Sequence, residues 1–343
     1  MARAVNRPGF TLVELLVVIT IICMLAGLIL GGLSSARQTA REAQTKATIA
    51  KLHNIIMAKW DSYRTRRVPM TEFDMRYYAY NQSPKWWSNP TTSLPPRVAA
   101  RVRVNALRDL MRLEMPDRLG DLNGSSLVLR KAIPSAVPAE VNDVSKASQA
   151  SFIPAISQRF QSIYASNTNP AKSEYLAAKC LYMIVMLTPG AAEQFRQNEV
   201  GDFCKDGLPV FLDGWGRPIR FLRWAPGFIP SLSADSDIQA GNVSTAPDPF
   251  DPLFTTDSTP PTPYTHFALI PLIYSAGPDG QYDINLGKTG TSEINYATVS
   301  GDINLYAADG NGFYVGQPLN GDTSTTSNLR HYDNIHNHRI EAK

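Results

Sequence analysis

Little net charge separates the acids from the bases of this chain: 33 Lys and Arg against 30 Asp and Glu leave +3 over 343 residues. So small an imbalance offers a polyanion no global attraction, and nucleic acid is not expected as a partner. Enzymatic signatures are missing too. No G-x-S-x-G, H-E-x-x-H, phosphate-binding loop or dinucleotide glycine pattern occurs, which points away from an enzyme. Cysteine is scarce, with only Cys23, Cys180 and Cys204. Cys23 sits in an apolar stretch, where it reads as a small hydrophobe. If the region holding Cys180 and Cys204 is exported, a disulfide between them is open to the chain, and so is a pair of buried thiols, because spacing does not show how near their Cα atoms come.

What is present is ordinary in bulk and unusual at one end. Hydrophobic residues make up 43% and charged residues 18%, a globular balance that argues against wholesale disorder. The length permits one large domain or two small ones on a stalk. Residues 12–33, LVELLVVITIICMLAGLILGGL, are long and apolar enough to cross a hydrocarbon core of about 30 Å as a helix. Before them stands MARAVNRPG, with Arg3 and Arg7 and no acid, which places the N-terminus in the cytoplasm and the bulk of the chain outside it.

This is not the layout of an ordinary secretory signal. The apolar run is longer, no A-x-A site follows it, and the notable junction, Gly9-Phe10, precedes it. One residue in the run is anomalous. Glu14 places a carboxylate where charge is otherwise excluded, at about 2.5 to 3.5 kcal/mol on insertion scales, so it calls for a cationic partner and a function. A cut after Gly9 would create one, the α-amino group of Phe10, on the same helix end or on a neighbouring subunit.

The segment RPGFTLVELLVVITII resembles the class III signal of type IV prepilins and type II secretion pseudopilins. The resemblance implies that a prepilin peptidase cuts between Gly9 and Phe10 and methylates Phe10, and that Glu14 guides assembly. It implies a single pass through the inner membrane, a periplasmic head, and a fibre after assembly. The partners it implies are copies of the chain, other pseudopilins, the peptidase, the inner-membrane assembly platform and membrane lipid. Gly31-Gly32 departs from the family, in which Pro-Asn often stands at that point. Glycines there weaken the helix or let it pack closely.

Helical periodicity continues beyond the membrane. Ala36, Ala40, Ala43 and Ala47 share one face, and Ile49, Leu52, Ile56, Trp60 and Tyr63 form an apolar stripe. The reading is one helix to about residue 63, with the second half packed on a head. An aromatic and Pro-rich loop then leads to Arg97, Arg101, Arg103, Arg108 and Arg112 on a helix ending near Met115-Pro116. Those arginines read as a solvated face pairing with acids, or as a surface for an acidic partner or lipid. Further helices are expected over 144–165 and 173–187, the second buried because it is apolar nearly all round.

From Leu208 the pattern turns to strands. LPVFLDGWGRPIRFLRW reads as a hairpin turning at Asp213-Gly214. It resembles the D-P-W-G-x-P motif of the major pseudopilin, with Gly214 in place of the proline, and YSAGPDG at 274–280 resembles the Y-S-x-G-x-D-G motif of the same family. Asp279, Asp283, Asp302 and Asp309 supply the hard oxygens that calcium prefers, and they equally suit tight turns. Major pseudopilins hold calcium near this point, so the resemblance offers Asp279 and Asp283 as ligands. His331, His336 and His338 lie in a polar tail that would not support a metal site.

The expected fold is α+β and pilin-like, a long N-terminal helix packed on a C-terminal antiparallel sheet with a large, mostly helical insertion. The expected parts are a leader (1–9), a membrane and assembly helix (10–33), the outer half of the stalk (34–65), the insertion (66–205) and a β-region with long loops (206–343). The expected function is that of a type II secretion pseudopilus subunit. A type IV pilin and a membrane-tethered binding protein are the alternatives.

Overall fold

The computed structural model describes residues 11–68, 96–122, 154–167, 175–228, 247–252, 267–287, 294, 296, 298–299, 302–303, 305–306, 314–319 and 334–339. Its frame is a single helix, α1 (Leu12–Ser62), of 51 residues, about 76 Å long at 1.5 Å per residue. The helix runs unbroken through Gly31 and Gly32. Its apolar first part is exposed, and Ala36, Ala40, Ala43 and Ala47 are exposed as well. Burial begins near Thr45. From there Ile49, Leu52, Ile56, Trp60 and Tyr63 all enter the core, so the stripe read from spacing is the contact face.

Among the described residues four more α-helices follow: α2 (Pro96–Glu114), α3 (Leu119–Leu122), α4 (Ala155–Asn167) and α5 (Leu176–Met186). Pro96 opens α2 where its missing N–H costs nothing. The helix stops before Met115-Pro116, because a residue preceding proline avoids the helical region. In α5, Leu176, Ala178, Lys179, Cys180, Leu181, Met183, Ile184 and Val185 are all buried. It is the central rod of the head, packed against β2, β3 and α1.

The strands are short and antiparallel. β1 (Val200–Gly201) pairs with β2 (Val210–Phe211). β3 (Arg220–Leu222), β4 (Leu272–Ser275) and β7 (Ile335–His336) form one sheet with β4 central, and β5 (Thr298–Val299) pairs with β6 (Asp302–Ile303). In the central sheet Phe221 faces Ile273, and Tyr274 faces both Arg220 and His336. The fold is thus α+β, with the stalk helix lying along β4 and β7.

The expected hairpin over 208–224 forms in short form, around a five-residue loop rather than a tight Asp213-Gly214 turn. β2 pairs back to β1 and β3 pairs forward to β4, leaving the two joined by a Leu212–Pro218 bridge and the Ile219 amide bonded to the Phe211 carbonyl at 2.8 Å. The connection is a five-residue loop, closed by the Asp213 amide donating to the Arg217 carbonyl at 2.8 Å and turned by Gly216 at φ +79°.

Candidate functional site

The first candidate is the start of α1. Thr11 is extended, with φ −79° and ψ 149°, and caps the helix. Its Oγ1 accepts from the Glu14 amide at 3.2 Å, while the Glu14 carboxylate accepts from the Thr11 amide at 2.9 Å and from its hydroxyl at 2.8 Å. This reciprocal capping box meets two donors that the first turn would otherwise leave unmet. The Glu14 carboxylate thus has hydrogen-bond partners on its own helix end but no counter-charge there, a capping box that residue spacing suggests but the sequence reading did not name. Gly9 and Phe10 lie outside the described residues.

The second is the meeting of the two C-terminal motifs with the stalk. Asp213 is the hub. Its Oδ1 accepts from the amides of Trp215 and Arg217, each at 2.9 Å, and its Oδ2 accepts from Ser275 Oγ at 2.6 Å. Arg217 Nη1 donates to the Gly277 carbonyl at 3.0 Å, and Gly280, at φ +81°, leaves room for that guanidinium. The loop rests on α1. The Gly214 amide donates to Thr45 Oγ1 at 2.9 Å, and a Cβ on Gly214 would sit 2.3 Å from the Arg41 carbonyl oxygen. Proline at 214 would lose that donor and meet that wall, so glycine here has a physical reason.

The third was not foreseen as a cluster. Arg223 is wholly buried between Asp117 and Asp121, donating from Nη1 to Asp121 Oδ2 at 2.9 Å and to the Met115 carbonyl at 2.7 Å, with Nη2 3.3 Å from Asp117 Oδ1. Tyr296 donates to Asp117 Oδ2, and Arg112 and Arg118 flank Asp121. Burial raises the Asp117 carboxyl to about 6 against the pull of Arg223. At Asp121 burial pushes the same way but is outweighed by Arg223, Arg118 and Arg112, which hold it below the usual carboxylate range. The network bolts α2 and α3 of the expected insertion onto β3.

The arginine row on α2 is split: Arg103 is exposed and Arg101 half-buried, while Arg108 and Arg112 pair with acids inside the packed head. Arg108 reaches Asp248 at 2.8 Å, and Arg112 reaches Asp109 at 2.8 Å from a site only 7% exposed. The spacing had shown a basic stripe, but acids far along the chain decide whether such a stripe is wet. Arg97's side chain is outside the described ones. Lower on the stalk, Lys51 and Thr48 hold Glu199 at 2.9 and 2.7 Å. Burial would raise that carboxyl, yet hydrogen bonds from the Arg196 amide, Thr48 and Lys51 keep it low.

Of the remaining expected residues, Cys180 is buried in α5 and Cys204 is half-buried in the loop after β1. Among the described residues no disulfide joins them. Cys180 faces the core, where burial pushes its thiol well up. Asp279 is exposed and its Oδ1 accepts from the Gln281 amide at 2.8 Å; Asp283 turns the chain at φ +43°. Among the described residues no group of three or more His, Cys, Asp or Glu gathers to hold a metal ion. Asp309 and His331 lie outside them. The polar tail is docked on the central sheet. Asn337 accepts from the Ile273 amide at 2.7 Å and donates to the Pro271 carbonyl at 2.9 Å, beside His53 Nδ1 at 2.9 Å. His338 is fully buried, and burial, with His336 adding to it, presses its imidazole down to about 3.

Residues 6–30 match the family model described as the prokaryotic N-terminal methylation motif. No curated protein and no solved structure matches the chain. The matched span contains Gly9, Phe10, Thr11 and Glu14.

Proposed function

We propose that this chain, which carries the N-terminal methylation signature of type IV pilins and pseudopilins, is a structural subunit of a type II secretion pseudopilus. It is a membrane-anchored, pilin-like chain, and not an enzyme in this reading. Prepilin peptidase cuts between Gly9 and Phe10 and methylates Phe10. The head stands in the periplasm, and the assembly platform draws the subunit into a fibre with its own copies and other pseudopilins.

The observation that carries this is Glu14. It is an exposed carboxylate within an exposed apolar helix inside the matched motif, and no fixed cation of the described head meets it. An N-terminal amine delivered by a neighbouring copy would satisfy it, which makes assembly depend on prior cleavage. The choice of a pseudopilus over a type IV pilus is supported by the two C-terminal motifs, bonded to each other through Asp213 and Ser275. Asp279 and Asp283 remain the proposed positions for calcium in that reading, since both lie in the turn that follows β4.

The test is Glu14→Ala in the native cell. Membrane insertion should persist while fibre assembly is lost. Thr11→Ala is the control, because it removes the same helix cap and keeps the carboxylate, and it should still assemble. Normal fibres from Glu14→Ala would overturn the proposal.

A further inference from the structure

With α1 along the bilayer normal, its rise per residue sets how far each of its residues stands above the membrane. Its apolar run ends at Leu33, so Arg37 stands about 6 Å and Arg41 about 12 Å further along the axis. The headgroup layer occupies roughly 5 to 8 Å beyond the hydrocarbon on each side. No acid lies between Leu33 and Glu42, and the Glu42 carboxylate already accepts from Gln38 Nε2 at 3.3 Å. Arg37 and Arg41 are both exposed, and among the described residues no ion pair holds either.

The head comes down to meet them. Gly214 packs against the backbone of Arg41 and bonds to Thr45, where burial of the stalk begins. Among the described residues the loop 213–217 is therefore where the head meets the stalk nearest the membrane, and it carries half-exposed Trp215. Arg37 is one turn below Arg41 on that same helix face. Helical side chains tilt toward the N-terminus, which here is toward the bilayer. Arginine stems lie along apolar surface with their charged ends in water or on phosphates, and tryptophan favours the headgroup level. The carboxylate of the loop itself, Asp213, is buried and accepts from the Trp215 and Arg217 amides and from Ser275.

We propose that Arg37, Arg41 and Trp215 form a docking surface for the phosphates of anionic phospholipid headgroups, which seats the head on the bilayer before assembly. It rests on the reading of the chain as a membrane-anchored subunit. Each basic residue near an anionic surface is worth roughly a fivefold preference, so the pair favours the seated state strongly enough to orient the head. Extraction into a fibre would break these contacts.

The experiment uses the full chain in nanodiscs of phosphatidylcholine, with or without phosphatidylglycerol, each doped with a headgroup spin-labelled lipid. Quenching of Trp215 fluorescence is isolated by subtracting the signal of Trp215→Phe. Stronger quenching in the anionic discs is expected. Arg37→Gln with Arg41→Gln should lower the ratio of seated to free heads roughly 25-fold, and high salt should lower it in the same direction. Equal quenching in both lipids, or no change in the double variant, would overturn the docking surface while the anchor stands. A chain that fails to enter the discs would overturn the anchor and the surface together.

Discussion

Replacing Arg223 by Met should be the most damaging single change in the head. The guanidinium is wholly buried, as are Asp117 and Asp121, and Met fills much of its volume without its charge. Removing one member of a buried pair costs about 3 to 5 kcal/mol, because the partner stays buried and uncompensated. Asp121 keeps Arg112 and Arg118, but Asp117 is left with the Tyr296 hydroxyl and the residue 223 amide. Arg223→Met with Asp117→Asn should therefore recover most of the loss. The single change should lower the unfolding midpoint by about 10 °C, at 2 to 4 °C per kcal/mol for a domain of this size. Asp117 is already raised to about 6 with its cation present, and losing the cation raises it further. A carboxyl raised in the folded state costs nothing below its unfolded value and its full penalty above its folded one. The deficit should thus be small at pH 5 and larger at pH 7. Thermal unfolding of the full chain in detergent, followed by near-UV circular dichroism at both pH values, reads this directly. A loss under about 1 kcal/mol, or no recovery in the double variant, would refute the reasoning.

Two further outcomes follow from the junctions between stalk, sheet and tail. Acid should loosen the docked C-terminus: His338 falls from 6.5 to about 3 on burial, so its stabilisation is complete above pH 6.5 and declines as pH drops toward 3. The slope is about 1.4 kcal/mol per unit, or about 2 kcal/mol at pH 5, and the protection factor of the Ile273 amide, its exchange rate divided into the intrinsic rate at each pH, should fall accordingly; a pH-independent protection factor would contradict this. Gly214→Ala should cost about 1 to 3 kcal/mol as overpacking, since the new Cβ meets three backbone atoms of Arg41 between 2.3 and 2.8 Å away. Chemical denaturation should show that cost, and a neutral result would mean that the loop does not rest on the stalk.

How much of this was legible depended on how local the signal was. The stalk could be read almost residue by residue, since Ile49 to Tyr63 recur at helical spacing and all are buried, and the burial of α5 follows from an apolar run with no polar face. Glu14 stood out because a charge in an apolar run is its own alarm. Long-range pairing left no such trace. Arg223 in IRFLRW looks like the outward member of an alternating strand, yet Asp117 and Asp121, more than 100 residues earlier, turn it into the centre of a buried cluster. The hairpin could be read locally, whereas the outer pairings of its two strands, with Val200 and Ile273, could not, because those partners lie elsewhere in the chain. The docked tail escaped notice because its polar residues are satisfied by backbone groups of β4 and the loop before it, which composition does not register.

The most direct measurement is the intact mass and N-terminal sequence of the chain taken from its native membrane. The expected product starts at Phe10, lacks residues 1–9 and bears one added methyl on its α-amino nitrogen. A chain that still begins with the residues before Gly9, unmethylated, would contradict the fibre-subunit reading at its root.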